Sequence, residues 1–158
     1  FYHHFKSKEE LGYAIIDRLI AELLDRTLEP CFADGSDNPV GQIRCFLDRV
    51  LEVQRGRNCV GGCPLGTLAS ELSDVHEGFR MRLAAIFIAW RDRLTRVLED
   101  ARARGLVAAD CEPGPVAHFL VAALEGAILL AKVTKDIGAM ERSVVELKRY
   151  LAGYEVPR

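Results

Sequence analysis

The sequence predicts an all-α fold, and three features of the chain support this class. Apolar residues recur at helical spacing in six segments, while no stretch of useful length alternates apolar and polar residues as a strand does. Prolines stand at the starts of several of these segments, where the missing backbone N–H costs a helix nothing. The chain has 158 residues, which is enough to bury a sizeable core in one domain.

The first long helix is predicted from about Lys8 to Pro30. Ser7 can cap its N-terminus, because a serine hydroxyl accepts from an unpaired backbone N–H one turn ahead, and Glu10 completes a capping box. The apolar stripe of this helix consists of Ile16, Ile20, Leu23, Leu24, Thr27 and Leu28. The segment 34–37 then predicts a loop, since it is rich in turn-forming residues.

Two shorter helices are predicted next. The second helix begins after Asn38, which can cap it, and Pro39 occupies its first position. Its apolar face consists of Ile43, Phe46, Leu47, Val50 and Leu51. Glycines at 56, 61 and 62 interrupt the chain, and Pro64 then opens a short third helix. The apolar residues of that helix are Leu65, Leu68, Ala69 and Leu72.

The fourth helix is predicted to be the longest. Asp74 and Glu77 form a capping pair before it, and Gly105 supplies its stop. Its apolar residues step by three or four along one face, as a 3.6-residue helix requires. They are Phe79, Leu83, Ile86, Phe87, Trp90, Leu94, Val97, Leu98 and Ala101.

Two further helices complete the prediction. After Pro113 and Pro115 comes a helix that is apolar on nearly every side and ends near Val133. The last helix runs from about Gly138 to Leu151 and carries an apolar stripe along one face.

Bulk composition restricts the class of protein. The net charge is −2 and the pI about 6.1, whereas a free-standing DNA-binding domain is usually basic. The five cysteines form no regular framework, so we expect reduced thiols and a cytoplasmic protein. The longest apolar run, 116–131, is shorter than the ~20 residues of a membrane span, and none is expected.

The first eight residues are the part of the sequence most suited to nucleic acid. They place hydroxyl, imidazole and ammonium groups close together, and such donors suit phosphate oxygens and base edges. These residues are Tyr2, His3, His4, Lys6 and Lys8.

Three segments carry a family resemblance. Residues 1–11, FYHHFKSKEEL, resemble the end of the recognition helix in TetR-family transcriptional regulators, where a Y-x-H-F-x-(S/N)-K-E-x-L pattern closes the helix-turn-helix. Residues 62–72, GCPLGTLASEL, are similar to the G-C-x-x-G-x-L-A-x-E-L motif of one branch of that family. Residues 124–132, LEGAILLAK, resemble the family's penultimate helix.

The resemblance implies a ligand-controlled DNA-binding repressor with a TetR-type helical regulatory domain. Residues 1–7 would end the helix-turn-helix domain, whose remainder is absent, and residues 8–158 would form the ligand-binding and dimerisation domain. Tyr2 and Lys8 match family positions that touch phosphates, while His3 and His4 match positions near the groove. Operator DNA would be a partner of the full-length protein.

The last two helices are expected to form a homodimer through a four-helix bundle. Small residues four apart on the penultimate helix allow a second backbone to approach, and the stripe on the last helix is too apolar to be left in water. The predicted interface consists of Ala123, Gly126, Ala127, Met140, Val144, Leu147 and Leu151. Glu125 lies among these apolar residues, where a carboxylate must find a partner or reach solvent, so it either contacts the ligand or hydrogen bonds across the interface.

A ligand pocket is expected where the largest apolar faces converge. A small-molecule effector there would be mainly apolar with one polar end, because few polar groups can meet it. No cofactor or metal is expected, since the cysteine and histidine spacing fits no metal site. The predicted pocket residues are Phe46, Val50, Leu65, Leu68, Phe87, Trp90, His118, Phe119 and Ala122.

Two other functions remain open at this point. A thiol-reactive sensor could use Cys63 or Cys59, because a helix N-terminus such as the one beside Cys63 favours thiolate. A helical dimerisation or binding module without a DNA role also fits the pattern. Catalysis is not expected, because the sequence has no G-x-S-x-G, phosphate-binding glycine loop or H-E-x-x-H.

Overall fold

Six α-helices account for most of the chain that the structure describes. The structure is a computed structural model, and it describes residues 5, 7–23, 25–26, 29–32 and 36–157. The described residues contain six helices and no β-strand, so the predicted all-α class is confirmed. The helices are α1 (Lys8–Leu23), α2 (Pro39–Gly56), α3 (Pro64–Leu72), α4 (Glu77–Ala103), α5 (Pro113–Thr134) and α6 (Ile137–Ala152).

Two helices begin at the predicted caps. At the start of α1, the Glu10 N–H donates to Ser7 Oγ at 3.0 Å. At the start of α2, the Gly41 N–H donates to Asn38 Oδ1 at 2.9 Å, and Pro39 is the first helical residue. Short polar side chains thus satisfy backbone donors that a helix leaves unpaired at its N-terminus.

The start of α4 differs from the prediction. The cap is His76 rather than Asp74, and the Phe79 N–H donates to His76 Nδ1 at 3.4 Å. The His76 ring also packs against the Phe79 ring, with centroids 4.7 Å apart. Asp74 lies in the preceding turn, so the contact between two rings decides where this helix begins.

Helix α4 is the centre of the packing. It contacts α2, α3 and α5, while α6 packs against α5 and α2. The stripe predicted for α6 is part of this core, because Met140, Val144, Leu147 and Leu151 are all buried within the chain. The buried face of α4 consists of Leu83, Ile86, Trp90, Leu94, Leu98 and Ala101.

The chain after α6 is fastened to the connection between α4 and α5. The Ala108 N–H donates to the Tyr154 carbonyl at 2.7 Å, and Glu155 forms an ion pair with Arg44 of α2. These contacts fix the C-terminal ends of α4 and α6 to one side of the helix bundle.

Helix α1 packs against the N-terminal part of α4. The Tyr13 and Phe79 ring centroids are 4.8 Å apart, and the Arg82 guanidinium carbon lies 4.2 Å from the Tyr13 centroid. Ile16 is the buried residue of this helix. The helix ends at Leu23 rather than at the predicted Pro30, because residues 25–26 adopt a wider π-helical turn and residues 29–31 form a turn.

A disulfide joins Cys31 to Cys45 of α2, with Cα atoms 5.6 Å apart. The expectation that all five cysteines are reduced is therefore wrong for this pair. Their spacing along the chain does not indicate the pairing, since they meet only because the turn after α1 lies against α2. Cys59, Cys63 and Cys111 are free and buried.

Helix α5 is longer than the apolar run predicted from the sequence. Its 22 residues make it, among the described helices, the one long and apolar enough to cross a membrane by length and composition. One face of α5 is nevertheless buried against α4 and α6. Its apolar length is therefore explained, on that face, by packing inside the protein.

We expect reduction of the Cys31–Cys45 bond to destabilise the chain. The bond spans a sequence separation of 14 residues, and opening a loop of that size costs up to about 3 kcal/mol by its effect on the unfolded chain. Urea denaturation followed by circular dichroism, with and without dithiothreitol, measures the change. The double variant Cys31→Ser, Cys45→Ser is the control and should not respond to the reductant. An unchanged wild-type midpoint after reduction, verified by mass spectrometry, would contradict the expectation.

Candidate ligand-binding cavity

A small cavity lies where α2, α3, α4 and α5 meet the last residue of α1. Its volume is about 20 Å³, which is room for a single water molecule. Most of the wall is apolar, and a few polar groups interrupt it. The lining residues are Leu23, Val50, Val53, Gln54, Arg57, Cys63, Pro64, Trp90, Leu124, Glu125 and Ile128.

Two lining residues carry buried polar atoms without a hydrogen-bond partner. Among the described residues, these atoms are Trp90 Nε1 and Glu125 Oε1. An unpaired buried donor or acceptor costs about 1–3 kcal/mol, and more when the group is charged. Unsatisfied atoms of this kind are rare in folded proteins, and two on one cavity mark it as the candidate site.

The Trp90 ring is held from two sides. Its residue is only 6% exposed, and its centroid lies 5.8 Å from that of Phe87 and 6.4 Å from that of Phe46. Both contacts are edge-to-face, which is a favoured arrangement for aromatic pairs. The indole is therefore fixed in place, and its N–H is a preformed donor.

Glu125 approaches the backbone of α3 closely. A Cβ atom placed on Gly66 would lie 2.6 Å from Glu125 Oε2, so an added methyl group would displace the carboxylate. Cys63 caps the same helix, since the Gly66 N–H donates to Cys63 Sγ at 3.4 Å. The carboxylate, the thiol and the start of α3 thus form one contact group.

Burial controls the protonation of this group. It raises the pKa of the Cys63 thiol to about 12, and the neighbouring charge of Glu125 acts in the same direction. Burial also raises the pKa of Glu125, while a hydrogen bond from the Cys63 thiol acts in the opposite direction. Cys63 is therefore a neutral thiol at physiological pH, despite its position at a helix N-terminus.

Gln54 is a polar lining residue that the sequence interpretation missed. It is 4% exposed, and its Nε2 donates to the Gly62 carbonyl at 3.4 Å. The bond holds the loop before Cys63 against α2. The signal was present in the sequence, because Gln54 follows Leu47 and Val50 on the apolar face of α2.

The structure brings some of the predicted pocket residues together. Val50 and Trp90 line the cavity, and Phe46 and Phe87 pack against Trp90. Leu65 of α3 is buried, and Leu68 of the same helix packs against the core, but neither lines this cavity.

The placement of His118, Phe119 and Ala122 in the pocket is wrong. All three lie on the exposed face of α5, and the Phe119 ring packs against Tyr150 with centroids 4.9 Å apart. Because α5 is apolar on nearly every side, its periodicity does not distinguish the inner face from the outer one.

The residues predicted for the dimer interface also require correction. Met140, Val144, Leu147, Leu151 and Ala127 are at most 4% exposed within the chain, so they are not available to a partner. The stripe of the last helix packs inward against α2 and α5 rather than outward. Ala123 is partly buried, and Gly126 is exposed.

The predicted DNA contacts fall largely beyond the described part of the chain. Tyr2, His3, His4 and Lys6 lie outside the described residues. Lys8 is the first residue of α1 and is exposed.

The described residues give limited support to thiol or metal chemistry. They contain no group of three or more His, Cys, Asp or Glu side chains placed to hold a metal ion. Cys59 is 2% exposed and Cys63 is 8% exposed, so neither of the two predicted sensor cysteines is accessible from the surface. The geometry does not favour the thiol-sensing alternative.

The architecture is that of an all-helical regulatory domain built around a small internal cavity. The family described as tetracyclin repressor-like, C-terminal domain matches residues 39–147. This chain therefore belongs to the TetR family of transcriptional regulators, which are not enzymes. The resemblance found in the sequence is confirmed by this match.

Individual relatives agree with the family assignment. The transcriptional regulator AcuR of Cereibacter sphaeroides is 33% identical over 136 residues, which are 84% of this chain and 60% of that protein. The structure of regulatory protein TetR from Rhodobacter sphaeroides superposes with a TM-score of 0.83 at 29% identity, covering 95% of this chain and 79% of that one. The structure of reduced E. coli NemR superposes with a TM-score of 0.82 at 28% identity, covering 94% of this chain and 77% of that one. The chain thus spans about three fifths of the length of AcuR.

We expect iodoacetamide to modify Cys63 very slowly at pH 8. A thiol with a pKa of about 12 is ionised in roughly one molecule in ten thousand at that pH. Glu125→Gln should speed the reaction, because it removes a negative charge beside the sulfur, whereas Glu71→Gln on the exposed face of α3 should not. Peptide mass spectrometry resolves Cys63 from the other cysteines. Wild-type modification as fast as that of a cysteine peptide would refute this account of the thiol.

Proposed function

We propose that this chain is the effector-binding and dimerisation part of a transcriptional repressor, which a small molecule releases from operator DNA in the cytoplasm. Family membership supports the proposal, because regulators of this family bind operator DNA, form homodimers and bind small-molecule effectors. Residues 8–158 form the effector-binding part, and residues 1–7 end the DNA-binding unit. The observation that carries the proposal is the cavity at the end of α1.

Leu23 links the cavity to the DNA-binding unit. It is the last residue of α1 and a wall of the cavity, while the other end of α1 begins at Lys8. Since the cavity holds about one water molecule, a larger effector must displace part of the wall. The displaced wall defines an expanded state of the cavity, distinct from the closed state of the structure. If the expanded state does not bind DNA, an effector that prefers it lowers the DNA affinity by at most the ratio of its affinities for the two states.

We also propose homodimerisation through the outer face of α5 and the adjoining face of α6. Exposed residues recur along α5 every three or four positions, so they lie on one face. The large exposed apolar residues of this surface are Phe119, Leu129, Leu130 and Val133 of α5 and Val145 of α6. A contiguous apolar surface of this kind marks a protein–protein interface.

Small residues in the middle of the same face support a close helix contact. Ala122 and Gly126 are exposed and four residues apart, which allows a second backbone to approach between the larger side chains. Two helices from each subunit form a four-helix bundle with a two-fold axis. We expect about 2,000 Å² or more of total burial, as in obligate dimers.

Leu130→Glu is expected to convert the dimer to a monomer, because it places a charge in the middle of a desolvated interface. Met81→Glu is the matched control, since Leu130 is 57% exposed on α5 and Met81 is 60% exposed on α4. Sedimentation velocity at micromolar concentration measures the association state. A wild-type monomer under these conditions would show that the proposed interface is wrong.

We expect sequence-specific DNA binding from a regulator that joins this chain to a complete helix-turn-helix unit. A DNA site selected from a random pool serves as the operator in mobility-shift titrations at near-physiological salt. Tyr2→Ala and Lys8→Ala should lower the affinity for selected and for scrambled DNA about equally, because phosphate contacts carry little sequence information. His3→Ala and His4→Ala should lower the affinity for the selected site more than the affinity for scrambled DNA. If the regulator shows no preference for any selected site, the proposed function fails.

A further inference from the structure

We propose that the cavity beside Trp90 recognises its effector through an uncharged head group that both accepts and donates a hydrogen bond, such as a hydroxyl or a primary amide. The inference deepens the proposed function by naming a chemical class for the effector. It rests on that function only in treating the occupant as an effector, since the hydrogen-bond requirement comes from the cavity itself.

Trp90 requires an acceptor. An indole N–H can only donate, and Trp90 Nε1 has no partner among the described residues although its side chain is buried. A ligand oxygen can accept this bond without any movement of the ring, because Phe46 and Phe87 hold the ring in place. An ammonium head group lacks a lone pair, so it would leave the donor unsatisfied.

Glu125 requires a donor. Its Oε1 has no partner, whereas the other side of the group is occupied by the Cys63 thiol and the backbone at Gly66. An ionised carboxylate can only accept, and a protonated one can both accept and donate. A hydroxyl or amide head group satisfies Glu125 in either state, so it needs no change of protonation on binding.

A carboxylate head group fits less well. It would place a second negative charge beside Glu125 in an apolar cavity, unless a proton were taken up on binding. Arg57 also lines the cavity, but it is exposed, and Glu125 Oε1 remains without a partner beside it. The remaining wall is formed mainly by aliphatic residues such as Val50, Leu124 and Ile128, so the body of the ligand is small and apolar.

Three probes with one carbon skeleton test the head group: isobutanol, isobutylammonium and isobutyrate. Trp90 is the only tryptophan in the chain, so its emission reports binding to the 158-residue chain directly. At pH 7 we expect isobutanol to change the emission saturably and to bind at least about tenfold more tightly than either ion, which is the size of one lost hydrogen bond to a buried group.

Variants separate the two partners. Glu125→Leu should lower the affinity for isobutanol about tenfold. Glu125→Gln should lower it less, because the amide oxygen still accepts a hydrogen bond. Gly66→Ala should also weaken it, since the added methyl displaces Oε2 without changing the charge. Trp90→Phe should bind isobutanol about tenfold more weakly, and ligand-observed NMR measures this affinity because the variant has no tryptophan emission. Circular dichroism verifies that each variant is folded.

The other outcomes overturn the inference. Tighter binding of isobutylammonium, lost in Glu125→Gln, would show recognition of a cation. Tighter binding of isobutyrate would show recognition of an anion, and the absence of any saturable response would show that the cavity admits none of these ligands. The titrations contain no DNA, so a negative result for the head group does not contradict specific DNA binding in the mobility-shift experiment. Conversely, a loss of specific DNA binding leaves the head-group result standing.

Discussion

Helix α5 has no polar side, and the rest of the structure depends on this property. Its inner face is buried against α4 and α6, and its outer face carries Phe119, Leu129, Leu130 and Val133 in exposed positions. A helix that is apolar all round is stable only when all of its sides are removed from water. The chain itself covers one face, and the proposed dimer covers the other. The proposed dimer interface and the proposed ligand cavity therefore lie on two sides of the same helix.

Glu125 is the polar exception on the inner side of α5. Its carboxylate lies against Gly66 and the Cys63 thiol, in a position that burial makes costly for a charge. Under the proposed function, a ligand that satisfies both Glu125 and Trp90 offsets this cost, because it supplies the hydrogen-bond partners that the two atoms lack among the described residues. Cys63 is a poor nucleophile because burial raises the pKa of its thiol, and the neighbouring charge of Glu125 acts in the same direction.

The number of helices and most of their starts could be predicted from the sequence, because periodicity and capping are local. The start of α4 could not, since it depends on the packing of His76 against Phe79. The disulfide between Cys31 and Cys45 was missed for a similar reason: the two residues meet only in the folded chain. Trp90 was predicted for the site because it is one of the largest side chains on helix faces that were expected to converge. His118 and Phe119 were misplaced because an apolar helix does not reveal which of its faces is inward.

Under the proposed function, the attachment of α1 connects a small change at the cavity to the DNA-binding unit. Near its N-terminal end, α1 crosses α4 at close range: a Cβ on Gly12 would lie 2.6 Å from Phe79, and one on Gly78 would collide with the Tyr13 hydroxyl. These two glycines allow α1 and α4 to pack closely where they cross. At the other end of α1, Leu23 lines the small cavity.

With a rise of 1.5 Å per residue, Leu23 lies about 15 Å from the crossing at Tyr13 and Lys8 about 7.5 Å on the opposite side. If α1 turns as a rigid body about this crossing, a displacement of Leu23 moves Lys8 in the opposite direction by about half as much. Under the proposed function, a shift of that size alters the position of the recognition helix relative to its groove. Because side chains must lie within hydrogen-bond distance of base edges to read them, displacements of about an ångström are sufficient to lower specific affinity.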